Sequence, residues 1–239
     1  KGMLFGLIGP DGAGKTTLFR ILTTLLLADS GQAIVSGHDV VKDYATIRSK
    51  IGYMPGKFSL YQDLSVRENL HFFATLFNTT IEANYELIKD IYSQLEPFNN
   101  RRAGALSGGM KQKLALCCAL VHKPEVLFLD EPTTGVDAVS RKEFWTMLKR
   151  LKEQGITIFV STPYMDEATL CDRIALIQKG EIMSINSPEG LLEGYSTLLW
   201  GVCADNMYQT YQDLLEYPMV SQCHTFGAYH HVRLKSDQA

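Results

Sequence analysis

The sequence lacks any long run of apolar residues, and no signal peptide is visible at its start. A helix that crosses a bilayer needs about 18 or more apolar residues in succession. No segment of this 239-residue chain approaches that length. If the protein works at a membrane, other chains or other segments must therefore cross it.

An excess of basic charge is also absent. The chain has 23 Lys and Arg residues against 26 Asp and Glu residues, which gives a formal net charge of −3. This balance argues against a protein whose main activity is the electrostatic binding of nucleic acid. The 46% of hydrophobic residues can instead fill the core of one large domain, or of a domain with a small appendage.

Cysteines are few, and their spacing forms no pattern. The chain has five, an odd number, and no spacing among them resembles a metal-binding knuckle. Cys117 and Cys118 lie in the apolar run from Leu114 to Val121, where they are better interpreted as small core residues than as redox groups. We therefore expect free thiols and a reducing compartment.

One glycine-rich segment indicates a substrate class. It fits the pattern G-x-x-x-x-G-K-[ST] and lies between an apolar strand, Leu4–Ile8, and an apolar-rich helix predicted from Lys15 to Leu27. Such glycines let backbone N–H groups turn toward a phosphate, while the lysine supplies positive charge and the Thr16 hydroxyl can ligate Mg²⁺. The alternative is a plain glycine-rich turn before a helix. The segment consists of Gly9, Pro10, Asp11, Gly12, Ala13, Gly14, Lys15, Thr16 and Thr17.

Strand candidates alternate with helices along much of the chain, which is typical of an α/β fold with a mainly parallel sheet. In such a fold, phosphate chemistry belongs at the carboxyl ends of the strands. The expected strands are Leu4–Ile8, Ala33–Ser36, Val126–Leu129, Ile156–Val160 and Ile174–Ile177.

Two regions depart from this alternation. Between Tyr53 and Arg102 the strand signal disappears, and a capping box at Ser65 and Glu68 precedes helical runs at 70–77 and 81–95. We expect an inserted helical subdomain at about residues 57–120, within a domain of residues 1–195. We expect residues 196–239 to form a separate small α+β module or connector, with the order strand 198–202, helix 206–216, strand 220–225 and strand 230–234.

A second motif, Val126–Glu131, is an apolar strand that ends in two carboxylates. A buried strand can deliver Asp130 to the edge of the sheet, where it would hold Mg²⁺ directly or through water. Glu131 is then placed to orient or deprotonate an attacking water. Many strands end in acids, so the motif predicts hydrolysis only in combination with the segment Gly9–Thr17.

A third motif opens a helix between the other two. A serine and two glycines at a helix start can form a second anion-binding corner of bare backbone N–H groups. An ordinary serine N-cap is the alternative. The motif consists of Leu106, Ser107, Gly108, Gly109 and Met110.

With these motifs the chain resembles the ATP-binding cassette (ABC) family over roughly residues 1 to 195. By this resemblance Gly9–Thr17 is the Walker A loop, Leu106–Met110 the signature, Val126–Glu131 the Walker B strand, and Thr134–Asp137 the D-loop. The resemblance implies a P-loop NTPase fold, ATP and Mg²⁺ as cofactors, metal contacts from Thr16 and Asp130, and a nucleotide-site role for Asp137.

The resemblance also implies partners. Two cassettes of this family pair head to tail, so Ser107, Gly108 and Gly109 are expected to serve the nucleotide of a second cassette. That cassette can lie in the same polypeptide, in a homodimer or in a heterodimer. Membrane-spanning ABC subunits are the other expected partners, which implies a peripheral position on the cytoplasmic face of the cell membrane.

Two positions depart from the family pattern. Gly56 stands where the family usually has a glutamine that contacts Mg²⁺ and water, and Pro163 stands where it usually has a histidine that contacts the γ-phosphate. Losing one such contact can cost on the order of 10²–10³ in rate, by analogy with an oxyanion-hole donor. We therefore expect intact nucleotide binding and weakened hydrolysis, unless Tyr164 or a backbone group substitutes.

Other short parts of the sequence resemble the exporter branch of the family, which is associated with drug or ion efflux and ABC-2-type membrane subunits. They are Asp137, Tyr164–Ala168 and Lys179–Ile182, and the module after Tyr195 resembles tails found there. The segment from Phe58 to Leu64 lies where the family docks its membrane partner. Phe58, Leu60 and Tyr61 are the candidate contacts, and a role in the helical core explains them equally well.

Three functions remain open. The leading one is the ATP-hydrolysing subunit of an exporter. A nucleotide-gated, barely hydrolytic cassette that regulates a partner is the second, motivated by Gly56 and Pro163. A soluble cassette protein of DNA repair or translation is the third, and the acidic pI of about 6.1 and the missing basic tract argue against it.

Overall fold

The protein is described by a computed structural model that covers residues 2–193 and 198–235. It divides into two compact units, of which the first ends at Pro188 and the second begins at Glu189. The expected boundary between residues 195 and 196 lies outside the described residues. Among the described residues, no helix has both the length and the apolar composition that a membrane crossing requires.

A six-stranded sheet forms the centre of the first unit, in the order β4-β5-β6-β1-β7-β8. The first five of these strands run parallel, and β8 pairs antiparallel with β7. The predicted α/β class with a mainly parallel sheet is thereby confirmed. The strands of this unit are β1 (Leu4–Ile8), β2 (Ile34–Val35), β3 (His38–Asp39), β4 (Ile51–Met54), β5 (Val126–Asp130), β6 (Thr157–Thr162), β7 (Arg173–Gln178) and β8 (Glu181–Asn186).

Helices connect most of these strands. They are α1 (Lys15–Leu22), α2 (Tyr44–Lys50), α3 (Val66–Leu76), α4 (Tyr85–Tyr92), α5 (Gly108–Leu120), α6 (Ala138–Glu153) and α7 (Met165–Ala168), and α8 (Pro188–Glu193) follows β8. Short 3₁₀ turns occur at Glu82–Asn84, Glu96–Phe98 and Ala103–Ala105.

Aromatic packing fixes α1 against the sheet. Phe19 is fully buried, and its ring lies 5.7 Å from that of Phe128 on β5 and 4.8 Å from that of Phe159 on β6. A buried aromatic ring contributes roughly 1.5–3 kcal/mol through the apolar surface it removes from water. This packing holds the start of α1 at the carboxyl ends of β1, β5 and β6, where the site is built.

Three sequence expectations need correction. The helix predicted from Lys15 to Leu27 ends at Leu22, because the Thr23 hydroxyl bonds back to the Phe19 carbonyl and Thr24 takes a left-handed φ of 65°. The predicted strand 33–36 does not join the main sheet, since β2 pairs with β3 in a separate two-stranded hairpin. The predicted helical run 81–95 begins with a 3₁₀ turn at Glu82–Asn84, and its α-helix, α4, ends at Tyr92.

The inserted region between β4 and β5 contains helices α3 to α5 and no named strand. Its predicted capping box is confirmed, because Ser65 Oγ accepts from the Glu68 N–H at 3.2 Å and Glu68 Oε2 accepts from the Ser65 N–H at 2.8 Å. Such a cap stabilises a helix by about 1 kcal/mol. Asn69, fully buried, donates to the carbonyls of Tyr61 and Leu64 and so fixes the loop that leads into α3.

The second unit contains β9 (Trp200–Val202), α9 (Met207–Glu216), β10 (Val220–Phe226) and β11 (Tyr229–Leu234). The strands form an antiparallel sheet in the order β10-β11-β9. This is the order of strand, helix, strand and strand that the sequence indicates. His230 is buried within it and bonds through Nε2 to the Met207 carbonyl at 2.7 Å.

Candidate functional site

The segment Gly9–Thr17 forms the loop between β1 and α1, with Thr16 and Thr17 in the first helical turn. Gly12 and Gly14 have φ values of 77° and 103°, which favour glycine. A Cβ on Gly9 would lie 2.2 Å from the Ile177 carbonyl oxygen, so only glycine fits there. The Ala13 N–H donates to the Pro10 carbonyl at 3.2 Å and tightens the loop.

Lys15 is buried at the centre of this loop, with only 3% of its surface exposed. Its Nζ donates to the carbonyls of Gly9 and Pro10 at 2.8 and 3.0 Å, and it pairs with Glu131 Oε1 at 3.1 Å. A buried ammonium is stable only when it is hydrogen-bonded and paired. The loop therefore holds a positive charge where the sequence predicts that phosphates bind.

Asp130 and Glu131 lie at the carboxyl end of β5, beside β6. Asp130 is 2% exposed, and its Oδ1 accepts from the Ser161 hydroxyl at 2.6 Å. The Glu131 N–H donates to the carbonyl and hydroxyl oxygens of Ser161 at 3.0 and 3.1 Å. Glu131 has a left-handed φ of 50°. For a residue other than glycine this costs about 1 kcal/mol or more, and such strain clusters at functional sites.

The end of β6 joins the phosphate loop to the acidic pair. The Thr162 carbonyl accepts from the Gly9 N–H at 3.4 Å, while the preceding Ser161 holds Asp130 and Glu131. Pro163 follows and is half-buried. The sequence patterns did not single out Ser161. A hydroxyl group directly after the apolar run 156–160 is the feature that could have indicated it.

Gly56 lies in space beside Asp130. A Cβ at this position would lie 2.9 Å from the Asp130 carbonyl oxygen and 3.8 Å from the Glu131 Cβ. Gly56, one of the two departures from the family pattern, therefore lies next to the acidic pair. The structure also shows that a side chain at position 56 requires the backbone to shift.

The segment Leu106–Met110 contacts a different part of the unit. Ser107 caps α5, and its hydroxyl accepts from the Met110 N–H at 3.3 Å. A Cβ on Gly109 would lie 2.8 Å from Ser140 Oγ at the start of α6. Among the contacts described, the segment therefore adjoins the turn that carries Asp137, and it does not reach the phosphate loop of its own chain.

Asp137 caps the N-terminus of α6. Its Oδ1 accepts from the N–H groups of Val139 and Ser140 at 3.1 and 3.0 Å. Hydrogen bonds from the backbone and side chain of Ser140 hold the pKa of Asp137 below its ordinary value. A charged carboxylate at a helix N-terminus is also favoured by the helix dipole.

An apolar groove of about 620 Å³ lies along the inserted helices. Phe58 lines it, with the Lys111 ammonium 5.5 Å above its ring. Leu60 is only 7% exposed, so its side chain belongs to the core as well as to the groove wall. Tyr61 is half-exposed and lies edge-on to Phe72 at 4.9 Å.

His122 forms one wall of this groove. Its ring stacks on Phe77 at 3.7 Å, and its Nε2 is bonded to the Ile51 carbonyl at 2.9 Å. Burial lowers the pKa of His122, because the charged imidazolium would lose its hydration. A neutral ring adds no charge to its wall of the groove at neutral pH, and this suits an apolar occupant there; the charged Arg48 also lines the groove.

The buried cysteines supply no reactive thiolate, although Cys118 also lines the apolar groove. Cys117 and Cys118 are buried in α5, as predicted for core residues, and burial raises the pKa of both thiols above the ordinary value. Cys171 is also buried, and its thiol pKa is raised to about 12. No group of His, Cys, Asp and Glu among the described residues could hold a metal ion by itself.

Comparisons with known proteins agree on one family. The family model described as ABC transporter matches residues 1–134. The probable multidrug ABC transporter ATP-binding protein YbhF of Escherichia coli (strain K12) is 48% identical over 194 residues, which is 80% of this chain and 34% of that protein. The Nod factor export ATP-binding protein I of Burkholderia lata is 40% identical over 195 residues, or 80% of this chain and 64% of that protein.

A solved structure agrees with this result. It is the dimeric post-hydrolysis state of the ATP-binding cassette MJ0796 bound to ADP and Pi, with a TM-score of 0.69 and 25% identity. The match covers 78% of this chain and 85% of that one. The chain thus spans most of a solved cassette but only about a third of the length of YbhF.

Proposed function

Since the chain belongs to the ABC transporter family, we propose that it binds and hydrolyses ATP as the cassette subunit of a membrane exporter. The observation that carries this proposal is the convergence of Lys15, Asp130 and Glu131 at one end of the parallel sheet, where Lys15 Nζ lies 3.1 Å from Glu131 Oε1. A phosphate-binding cation and two carboxylates at this edge are the groups that hydrolysis of a nucleoside triphosphate requires.

Phosphates are bound by the loop Gly9–Thr17. Its positive-φ glycines and the N-terminus of α1 present N–H groups, and Lys15 adds a full charge. The donor set also fits Mg²⁺, because the Thr16 hydroxyl and the Asp130 carboxylate are hard oxygen ligands. When bound, the metal would neutralise charge on the β and γ phosphates.

Glu131 orients and deprotonates water in this proposal. A phosphate that binds Lys15 competes with Glu131 for the ammonium group, so the carboxylate becomes available to a water molecule. The Ser161 carbonyl and hydroxyl keep the Glu131 backbone in its strained conformation throughout. This fixed placement is what a general base needs, since its efficiency depends on hydrogen-bond geometry.

Hydrolysis at this site is proposed to be slow. Pro163 offers no side-chain donor at the position of the usual histidine, and Gly56 offers no amide at the position of the usual glutamine. The same observation favours the second candidate function, a barely hydrolytic cassette that regulates a partner. The two functions are compatible, since a slow site can still gate the pairing of cassettes by binding ATP.

Pairing with a second cassette completes the proposal. Ser107 and Gly108 lie away from their own phosphate loop and beside the turn that ends at Asp137. They are proposed to contact the nucleotide of a partner cassette, as the dimeric relative suggests. Multidrug and Nod factor export in the names of similar proteins supports an export role at the cytoplasmic face of a membrane.

The membrane subunit is proposed to dock in the apolar groove. Its walls carry Phe58 and Phe77 together with the uncharged His122, and Tyr61 is exposed nearby. An apolar groove of about 620 Å³ can accept the apolar side of a short helix. The transported substrate would contact that membrane subunit.

The test of ATP binding is Lys15→Ala. Removing the buried charge should abolish most ATP affinity in the presence of Mg²⁺, measured by isothermal titration calorimetry. Lys42→Ala is the matched control, because Lys42 is an exposed lysine outside the loop and its loss should leave affinity unchanged. Equal affinity in Lys15→Ala and wild type would remove the assignment of the loop.

A further inference from the structure

Glu167 is a buried acidic side chain to which the proposed reaction gives no role. It lies in α7 and is 1% exposed. Its Oε1 accepts from the Thr133 hydroxyl at 2.7 Å, and its Oε2 accepts from the Thr162 hydroxyl at 2.5 Å. Burying a carboxyl group is costly unless its oxygens are hydrogen-bonded. Both oxygens are bonded here, so the residue connects the two segments that supply the hydroxyls.

Both segments border the phosphate site. Thr133 follows Glu131 closely in the chain. Thr162 precedes Pro163, its carbonyl accepts from the Gly9 N–H at 3.4 Å, and its hydroxyl accepts from the Tyr164 N–H at 3.1 Å. A displacement of Glu167 would therefore move the backbone on both sides of the site.

Arg141 lies beside the same carboxyl group without a hydrogen bond to it. Its buried Nε has no hydrogen-bond partner among the described residues and is 3.8 Å from Glu167 Oε1. The guanidinium lies over the Tyr164 ring, 4.5 Å from its centre. Since a hydrogen bond of this type needs about 2.7–3.2 Å, a shift of less than about 1 Å would form it.

Arg141 also connects this cluster to the turn at Asp137. It lies in the first turns of α6, and its N–H donates to the Asp137 carbonyl at 2.9 Å. Helices move as rigid units, so a small displacement of the Asp137 turn is transmitted to the Arg141 side chain. Asp166, the other carboxylate near Arg141, is exposed and lies 3.9 Å from the guanidinium.

We propose that Arg141 and Glu167 are positioning residues that transmit docking of a second cassette at Asp137 to the phosphate site. Docking moves the start of α6, the Arg141 Nε then bonds to Glu167, and the Thr162 hydroxyl carries this change to the backbone of Pro163 and Gly9. The inference rests on the proposed function, because in this proposal the Asp137 turn is displaced only when a second cassette docks against it.

Trp145 provides a direct readout. It is 3% exposed on α6 and lines the same cavity as Arg141 and Glu167. The chain has two tryptophans, so Trp200→Phe leaves Trp145 as the only one. In that background, addition of Mg²⁺-ATP at a protein concentration that allows pairing should change the Trp145 emission.

Glu167→Gln in this background tests the link. Glutamine keeps the shape and can still bond both threonine hydroxyls, so the fold should persist, but it removes the charge that attracts Arg141. The ATP-dependent emission change should be lost. Turnover per chain should fall about tenfold or more while KM stays within about twofold, because misplacement affects the reacting geometry more than binding. Asp166→Asn is the matched control and should behave like its background.

A second variant separates coupling from simple damage. Arg141→Met should give the same loss of the emission change and of turnover as Glu167→Gln. The double variant should lose no more than either single variant, since each of the three prevents the same bond between Arg141 and Glu167. Because Arg141 is partly exposed, this variant also carries the test if Glu167→Gln does not fold.

The outcomes are distinct. A wild type that does not bind ATP by calorimetry would overturn the proposed function, and this inference with it. A wild type that binds ATP but shows no emission change, an emission change that survives Glu167→Gln, or additive losses in the double variant would overturn the positioning role alone.

Discussion

The expected slow turnover rests on two residues, Gly56 and Pro163, and the structure gives these two positions different surroundings. Position 56 is sterically closed, because a Cβ there would lie 2.9 Å from the Asp130 carbonyl oxygen. Pro163 directly follows β6 and is half-buried, so part of its side chain already reaches the surface. Restoring the usual residue is therefore simpler at position 163, which would receive histidine, than at position 56, which would receive glutamine.

We expect Pro163→His to raise the slow ATP turnover of the purified chain, because an imidazole supplies the missing donor at the phosphate site. A gain of about tenfold would recover part of the factor of about 10²–10³ that a single charge-stabilising donor can supply. Steady-state phosphate release measures it. Gly56→Gln should not raise turnover by itself, and Gly56→Ala should show the same steric penalty. Brisk wild-type turnover that Pro163→His abolishes would show that Tyr164 or the backbone already fills this role.

The helices α5 and α6 meet where glycine is required. Gly109 in α5 lies so close to α6 that a Cβ would be 2.8 Å from Ser140 Oγ and 3.1 Å from Ser140 Cβ. Ser140 in turn donates its N–H to Asp137 at 3.0 Å. In the proposed pair, the relative position of these two helices would therefore set how Ser107, Gly108 and the Asp137 turn face the second cassette.

We expect Gly109→Ala to lower ATP turnover of the assembled transporter with little loss of thermal stability. Alanine favours a helix over glycine by about 0.5–1 kcal/mol, which offsets much of the steric cost. The displaced helix α5 would nevertheless hold the signature segment in the wrong position relative to a second cassette. Adding Ser140→Gly removes the clashing atoms and should restore turnover. If it does not, Gly109 acts by approaching the phosphate of the partner and not by packing on α6.

The protein as a whole is proposed to contain the parts of two half-sites. Its own phosphate loop, Asp130 and Glu131 form one half, with two departures from the family pattern, while Ser107 and Gly108 are proposed to complete a site on another cassette. A chain with a weakened site of its own can thus remain essential to a competent site opposite. This predicts an asymmetric pair in which the partner carries the glutamine and histidine equivalents.

Comparing Ser107→Arg with Glu131→Gln in the full assembly tests the asymmetry. Ser107→Arg should silence ATP turnover, because it places a bulky cation where backbone N–H groups must approach a phosphate. Glu131→Gln should reduce turnover much less, since most hydrolysis occurs at the other site. Rates of phosphate release from both variants decide the matter. Equal damage from the two substitutions would show that the sites contribute alike.

The sequence by itself determined the class of the protein. The phosphate loop, the capping box at Ser65 and the acidic end of β5 are local patterns, in which a few adjacent residues set the backbone conformation and the chemistry. These features depend on near neighbours in the chain, so they can be predicted without a fold. The alternation of apolar strands with helices predicted the mainly parallel sheet for the same reason.

Only the tertiary structure decided how these parts meet. Ser161 bonds Asp130 because β6 lies next to β5, and Glu167 bonds Thr133, which lies 34 residues earlier in the chain, because α7 packs beside the segment that follows β5. The closed space at Gly56 likewise depends on a carbonyl from a distant segment. Strand order and helix packing set these contacts between residues far apart in the chain. No periodicity or spacing within a short segment encodes them.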